Sequence, residues 1–264
     1  MNRRPRRVPV GIAVPAALGL TFVVLPLVGL VADAPWSTLG RSLTDPGARD
    51  ALRLSLVCSV GATVVAAVLG LPLAWVFARV DFRGRSLAWA LVMVPMVLPP
   101  VVAGVGLLAA FGRRGLVGGF LADYLGVYLT FSPAGVVLAE AFVALPFLVV
   151  TVEAALRTAG TELEEAARTL GARPWTVLRR VTLPAVGPAL AAGAALAWAR
   201  ALGEFGATIT FAGNIGGRTR TVPLAVYLLL DRDPAVATAL SLVMLAVSVT
   251  VLAALRGRWL GRPQ

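Results

Sequence analysis

Residues 161–184 read TELEEAARTLGARPWTVLRRVTLP, the one sizeable polar, helix-forming stretch in a chain that is otherwise mostly hydrocarbon. Thr161 and Glu164 stand at the spacing of a capping box, in which hydroxyl and carboxylate each satisfy an orphan backbone N–H. Glu164 and Glu165 load the first turn with negative charge, which the helix dipole favours. Leu163, Ala167 and Leu170 recur on one helical face, Gly171 follows as a stop signal, and Pro174 suits the first turn of a second short helix. Leu178 and Val181 continue an apolar face, with Arg179 and Arg180 pointing elsewhere. The stretch therefore predicts a helix–turn–helix outside the membrane core, with one apolar face free for docking. A surface helix pair closing an ordinary loop is the plainer alternative.

What surrounds this stretch decides the fold class. The chain has 264 residues, 58% of them hydrophobic and 14% charged, with a mean hydropathy of +0.86. A soluble domain of this length carries more charge. The apolar runs predict an all-α polytopic membrane protein, a single domain over 1–264 with six transmembrane helices. The spans fall at about 8–32, 51–78, 86–111, 133–156, 185–211 and 234–255. Arg3, Arg4, Arg6 and Arg7 precede the first run, and Ala32-Asp33-Ala34 resembles a signal-peptide cleavage site. That run is about 25 residues long, against about 7–15 for a signal h-region, so it reads as an uncleaved span.

Between spans, residues 33–50 are polar and turn-rich, and residues 112–132 form a Gly-rich loop with Arg113 and Arg114. The apolar piece Thr221–Leu230 is too short to span and suits a re-entrant or interfacial helix. Pro95, Pro99 and Pro100 lie inside the third span. They free backbone carbonyls for neighbouring helices or a water-lined path, or they simply kink the bundle. On the fifth span Ala185, Ala189, Gly193, Ala197 and Ala201 recur every fourth residue, which lets helix backbones approach closely.

The net charge is +11, and every basic residue is an arginine. The arginines cluster between apolar runs, a topology signal and not a nucleic-acid surface. With the N-terminus inside, fifteen arginines fall on cytoplasmic segments and seven on external loops, while Arg53 and Arg200 lie within spans. Both termini and residues 161–184 are thereby predicted to be cytoplasmic. Cys58 is the only cysteine, so no intrachain disulfide forms. Without histidine or a cysteine cluster, the usual transition-metal sites and Ser/His/Asp chemistry are excluded. No phosphate loop or dinucleotide fingerprint occurs. The chain reads as a non-enzyme without a cofactor of its own, driven by a partner or by a gradient.

Charges within spans are expensive and draw attention. Arg200 and Glu204 lie one turn apart, and Glu140 sits at comparable depth. They form either an internal ion-pair network or part of a path. For an oxyanion, Arg200, Thr208, Thr210 and nearby N–H groups are suitable donors.

Glu165-Ala166-Ala167, then Gly171, Val181 and Leu183-Pro184 resemble the EAA loop of ABC importer permeases, EAA-x3-G-x9-I-x-LP, with valine for isoleucine. The resemblance implies a coupling helix seated in a groove of a separate ATPase, with Glu164, Glu165, Ala166, Ala167, Gly171, Leu183 and Pro184 in that role. Residues 200–214, RALGEFGATITFAGN, with Arg218-Thr219 and Thr221–Tyr227, resemble the molybdate-type permeases. Sulfate, ferric-iron and thiamine permeases share parts of this segment, LGEFGA above all. The likeness is close over about residues 161–230 and general over the six-span layout. It implies a homodimeric pore in the inner membrane, two ATPase subunits that bind ATP–Mg, and an external binding protein delivering molybdate or tungstate. Glu140, Arg200, Glu204, Thr208, Thr210 and Asn214 become candidates for the path or gate.

Gly216-Gly217 departs from the pattern, which places a proline before Arg218. The expected function is ATP-driven import of an oxyanion, molybdate first. A sulfate or thiosulfate permease is the alternative within the class. A gradient-driven secondary transporter lies outside it, although no inverted repeat is evident; a membrane scaffold would leave the docking loop unexplained. The chain ends about nine residues after the last span, so no appended regulatory domain is expected.

Overall fold

The computed structural model describes residues 9–260. Its helices are α1 (Val10–Ala32), α2 (Leu39–Thr44), α3 (Pro46–Arg79), α4 (Arg85–Val97), α5 (Pro100–Phe111), α6 (Gly118–Leu125) and α7 (Pro133–Thr158). They continue as α8 (Glu162–Thr169), α9 (Pro174–Val177), a π-helical turn at Leu178–Thr182, α10 (Leu183–Leu202), α11 (Gly206–Phe211), α12 (Val222–Leu229) and α13 (Pro234–Leu260). The arginines at positions 3, 4, 6, 7 and 262 lie outside the described residues, as do the side chains of Arg256 and Arg258.

Five helices among the described residues are long and apolar enough to cross a membrane: α1, α3, α7, the continuous run Pro174–Leu202, and α13. The third expected span is broken into α4 and α5. Leu98 is extended, at ψ 131°, as the residue before a proline prefers. Pro99 is extended for the same reason before Pro100, and Pro100 then opens α5 at its first position.

That α4 and α5 together cross follows from the helices on either side. α3 and α7 run parallel: the Cys58 thiol meets the Pro133 carbonyl, Gly61 meets Val137, Gly70 meets Leu148 and Val149, and Arg79 reaches Gly160. The chain between them must therefore return across the bundle. Trp89 on α4 contacts Glu153 near one end of α7, whereas Ala103 and Leu107 on α5 pack with Ala139 and Val143 nearer the other.

The centre of the fold is α3 against α7, with α10 across them. Ala51, Ser55, Cys58, Ala62, Ala66, Gly70 and Ala74 form the buried stripe of α3. Small residues there allow the close approach that packing in lipid requires. On α10 the expected seam is buried at Gly193, Ala197 and Ala201, while Ala185 is exposed. A Cβ on Gly193 would stand 3.2 Å from the Thr151 side chain. α1 buries none of its apolar window within the chain, as suits a helix whose solvent is acyl chain.

Several sequence expectations are corrected. The fifth span does not run to Phe211; it ends at Leu202 and, after Gly203–Phe205, α11 begins. Its start also differs, because α9 and the π turn continue directly into α10. The second helix of the predicted helix–turn–helix is thus the first part of a span. The Gly-rich loop 112–132 contains α6, folded back onto α5: Leu116 and Val117 N–H groups cap the Ala109 and Ala110 carbonyls. A Cβ on Gly118 would lie 2.1 Å from the Gly112 carbonyl oxygen, so only glycine permits this return. Residues 33–50 likewise contain α2, whereas residues 221–230 hold the short helix α12, as expected.

Candidate functional site

At the end of the bundle where α3 and α7 finish, α8 stands on Gly160, whose φ of +67° turns the chain out of α7. The capping box expected of Thr161 and Glu164 does not form. Thr161 is the N-cap residue but caps no backbone N–H; its hydroxyl donates to Glu165 Oε1 at 2.5 Å. Glu164 turns inward instead. Its Oε1 accepts from Arg79 Nε and Nη2, at 3.3 and 3.1 Å, and from the Thr182 hydroxyl at 3.0 Å. Arg168 flanks Oε2 at 3.9 Å. A buried carboxylate persists when charge and hydrogen bonds compensate its desolvation, and here three groups from three segments do so.

The outer face of the segment is apolar and open. Leu163, Leu170 and Trp175 are 66%, 88% and 65% exposed, and Glu165 and Ala166 lie exposed beside them, with Ala167 half-buried. α8 closes in a Schellman turn: Ala172 N–H donates to the Ala167 carbonyl and Gly171 N–H to that of Arg168. Gly171 takes φ +83°, the left-handed position for which glycine is suited. Leu183 and Pro184 follow directly on the π turn, and Pro184, which has no N–H to donate, sits where the regular α-helical ladder resumes.

The second candidate group gathers where α10 gives way to α11. Arg200 Nη2 lies 2.6 Å from Glu204 Oε2, and Glu204 Oε1 accepts from the Ala207 N–H at 2.8 Å. The carboxylate thus pairs with an arginine and caps α11 at once. Glu140 on α7 is buried within electrostatic reach of Glu204 and of Cys58; among the described residues its Oε2 has no partner, and neither has the Thr208 hydroxyl. Thr210 donates to the Gly206 carbonyl. Asn214 stands apart in the loop after α11, where its Oδ1 accepts from Arg220 at 2.8 Å. Glu140, Glu204 and Thr208 are sealed from solvent in this conformation. In the same loop Gly217 takes φ +69°, which a proline, held near −65°, does not reach.

One cluster went unnoticed in the sequence. Glu153 Oε1 accepts from Arg157, and its Oε2 takes the Trp89 indole N–H at 2.7 Å. The Phe77 carbonyl accepts from both Arg85 and Arg157. The i,i+4 spacing of Glu153 and Arg157 was a usable signal for their pairing.

Residues 66–262 match the family described as the binding-protein-dependent transport system inner membrane component. The chain belongs to that family. This membrane component is 46% identical over 248 residues to the molybdenum transport system permease protein ModB of Mycobacterium tuberculosis, covering 94% of each chain. It is 38% identical over 255 residues to the sulfate transport system permease protein CysT of Escherichia coli, covering 94% of this chain and 92% of that one. Its fold resembles that of a bacterial ABC transporter involved in the import of the acidic polysaccharide alginate. The TM-score is 0.75 at 19% identity, over 94% of this chain and 93% of the other.

Proposed function

We propose that this transport-system component is the membrane-spanning permease of an ATP-driven importer for an oxyanion, molybdate or tungstate. The observation that carries the substrate is the 46% identity with a molybdenum permease across nearly the whole of both chains. Two copies form the pore, each resting on one ATPase subunit that binds ATP–Mg, and an extracytoplasmic protein delivers the anion. The termini and α8 face the cytoplasm. The exposed face of Leu163, Leu170 and Trp175 enters the ATPase groove, with Glu165 and Ala166 at its edge. ATP binding draws the two α8 segments together, and α7 and α10 carry the movement into the pore. Arg200 supplies positive potential near the path when the outer cluster opens.

Sulfate or thiosulfate is the second reading, favoured by the 38% identity with a sulfate permease. Uptake of labelled molybdate into cells with and without the chain, with excess sulfate as competitor, separates the two. Chain-dependent uptake that ignores sulfate is expected. Uptake abolished by sulfate transfers the assignment to sulfate, and uptake independent of the chain removes the oxyanion reading.

A further inference from the structure

Chain connectivity joins α8 to α7 before it and, through α9 and the π turn, to α10 after it. Its strongest side-chain attachment is to neither. It is to Arg79, the last residue of α3. One Arg79 guanidinium reaches both Glu164 on α8 and, at 2.6 Å, the carbonyl of Gly160 at the turn between α7 and α8. The two side chains of the ion pair are 9% and 7% exposed. A buried, multiply bonded guanidinium of this kind holds one geometry, unlike a surface pair that exchanges with water. About 30 Å³ of space remains among Arg79, Glu164, Thr182 and their neighbours, room for a water or two.

The same end of α3 is gripped from two further sides. Its Phe77 carbonyl, one of those left without a helical partner at a C-terminus, accepts from Arg85 at the start of α4 and Arg157 on α7. From there α3 continues as one 34-residue helix, about 50 Å long at 1.5 Å per residue. Near its other end the Ser55 hydroxyl accepts from the Val222 N–H at the start of α12. A single unbroken element therefore joins the candidate coupling helix to the loop structure on the opposite face.

We infer that Arg79 is a positioning residue for coupling, fixing α8 to α3 through Glu164 and Gly160, so that movement of α8 enters the bundle through α3 as well as through α7 and α10. This rests on the proposed ATP-driven function. The coupling energy resides in a defined contact and not only in the covalent path.

The test is the intact importer, with its ATPase and binding protein, reconstituted in liposomes and read as substrate transported per ATP hydrolysed. Arg79→Gln is expected to lower that ratio by about fivefold or more, with Arg79→Lys in between, because a lysine cannot hold two acceptors in a planar fork. A double variant, Arg79→Met with Glu164→Met, replaces the ion pair by apolar contacts that preserve assembly and is expected to show the same fall. A purely structural role would reduce the yield of assembled importer and leave the ratio at the wild-type value; that result, in any assembled variant, overturns the inference. Absence of ATP-driven uptake in the wild-type importer would instead contradict the proposed function.

Discussion

Glu164 and Glu165 are adjacent, and in the sequence they look interchangeable, both placed in the first turn of a helix. The fold separates them completely. Glu165 is exposed and accepts from the Thr161 hydroxyl, whereas Glu164 is the buried acceptor for Arg79 and Thr182. The partner that decides this lies 85 positions away, so no local pattern announces it. The second pair differs because Arg200 and Glu204 are four apart, and their contact was legible from spacing alone. That pair is asymmetric: Glu204 is 1% exposed and Arg200 28%. Removing the arginine strands a buried carboxylate, while a glutamine at 204 still accepts the Ala207 N–H. Arg200→Ala is expected to cost about 3 kcal/mol of stability, and Glu204→Gln clearly less, in thermal unfolding of the purified protein. Equal losses would contradict the burial difference.

The spans themselves were legible, because runs of hydrocarbon long enough to cross a bilayer admit few other readings. Their interruptions were partly so. Pro99-Pro100 marked the boundary of α4 and α5 without revealing it as a complete break, and Gly203 gave only a weak sign that α10 ends there. What sequence patterns missed is how the short pieces dock. α5 and α11 meet through glycines on each: a Cβ on Gly104 would stand 2.5 Å from Thr210 Cβ, and one on Gly206 2.6 Å from Pro100 Cβ. Gly104→Ala is therefore expected to cost about 1–3 kcal/mol through overpacking. Gly106, two residues on and so on the opposite face of α5, has nothing within 4 Å among the described residues, so Gly106→Ala is expected to be neutral or slightly stabilising. Thermal melting of the two variants checks the contrast, and a harmless Gly104→Ala would mean that the two helices are not in contact. The small-residue stripe of α3 obeys the same four-residue rule applied to α10. It was readable there too, and it marks the more extensive of the two packing faces.

At the scale of the molecule, two ends are joined by parallel α3 and α7. One end carries an exposed apolar face fixed on a buried ion pair; the other carries α12 and the loops that pack against the start of α3 and α13. Between them lies a sealed cluster, Glu140, Glu204 and Thr208, at the junction of α10 and α11. Such an arrangement suits a device in which movement at one face alters packing at the other. The amino-acid sequence made the candidate docking segment and the substrate class of its relatives accessible through motif spacing. The sealed state of the cluster, which depends on how three helices pack, was beyond it.

The proposed function requires that transport through this chain be driven by ATP and not by an ion gradient. The most direct measurement is uptake of labelled molybdate into liposomes holding the purified importer, with binding protein outside and ATP sealed within. Uptake that requires internal ATP and persists when ionophores dissipate proton and sodium gradients is the predicted result. Uptake that survives without ATP and collapses with the gradients would contradict the account.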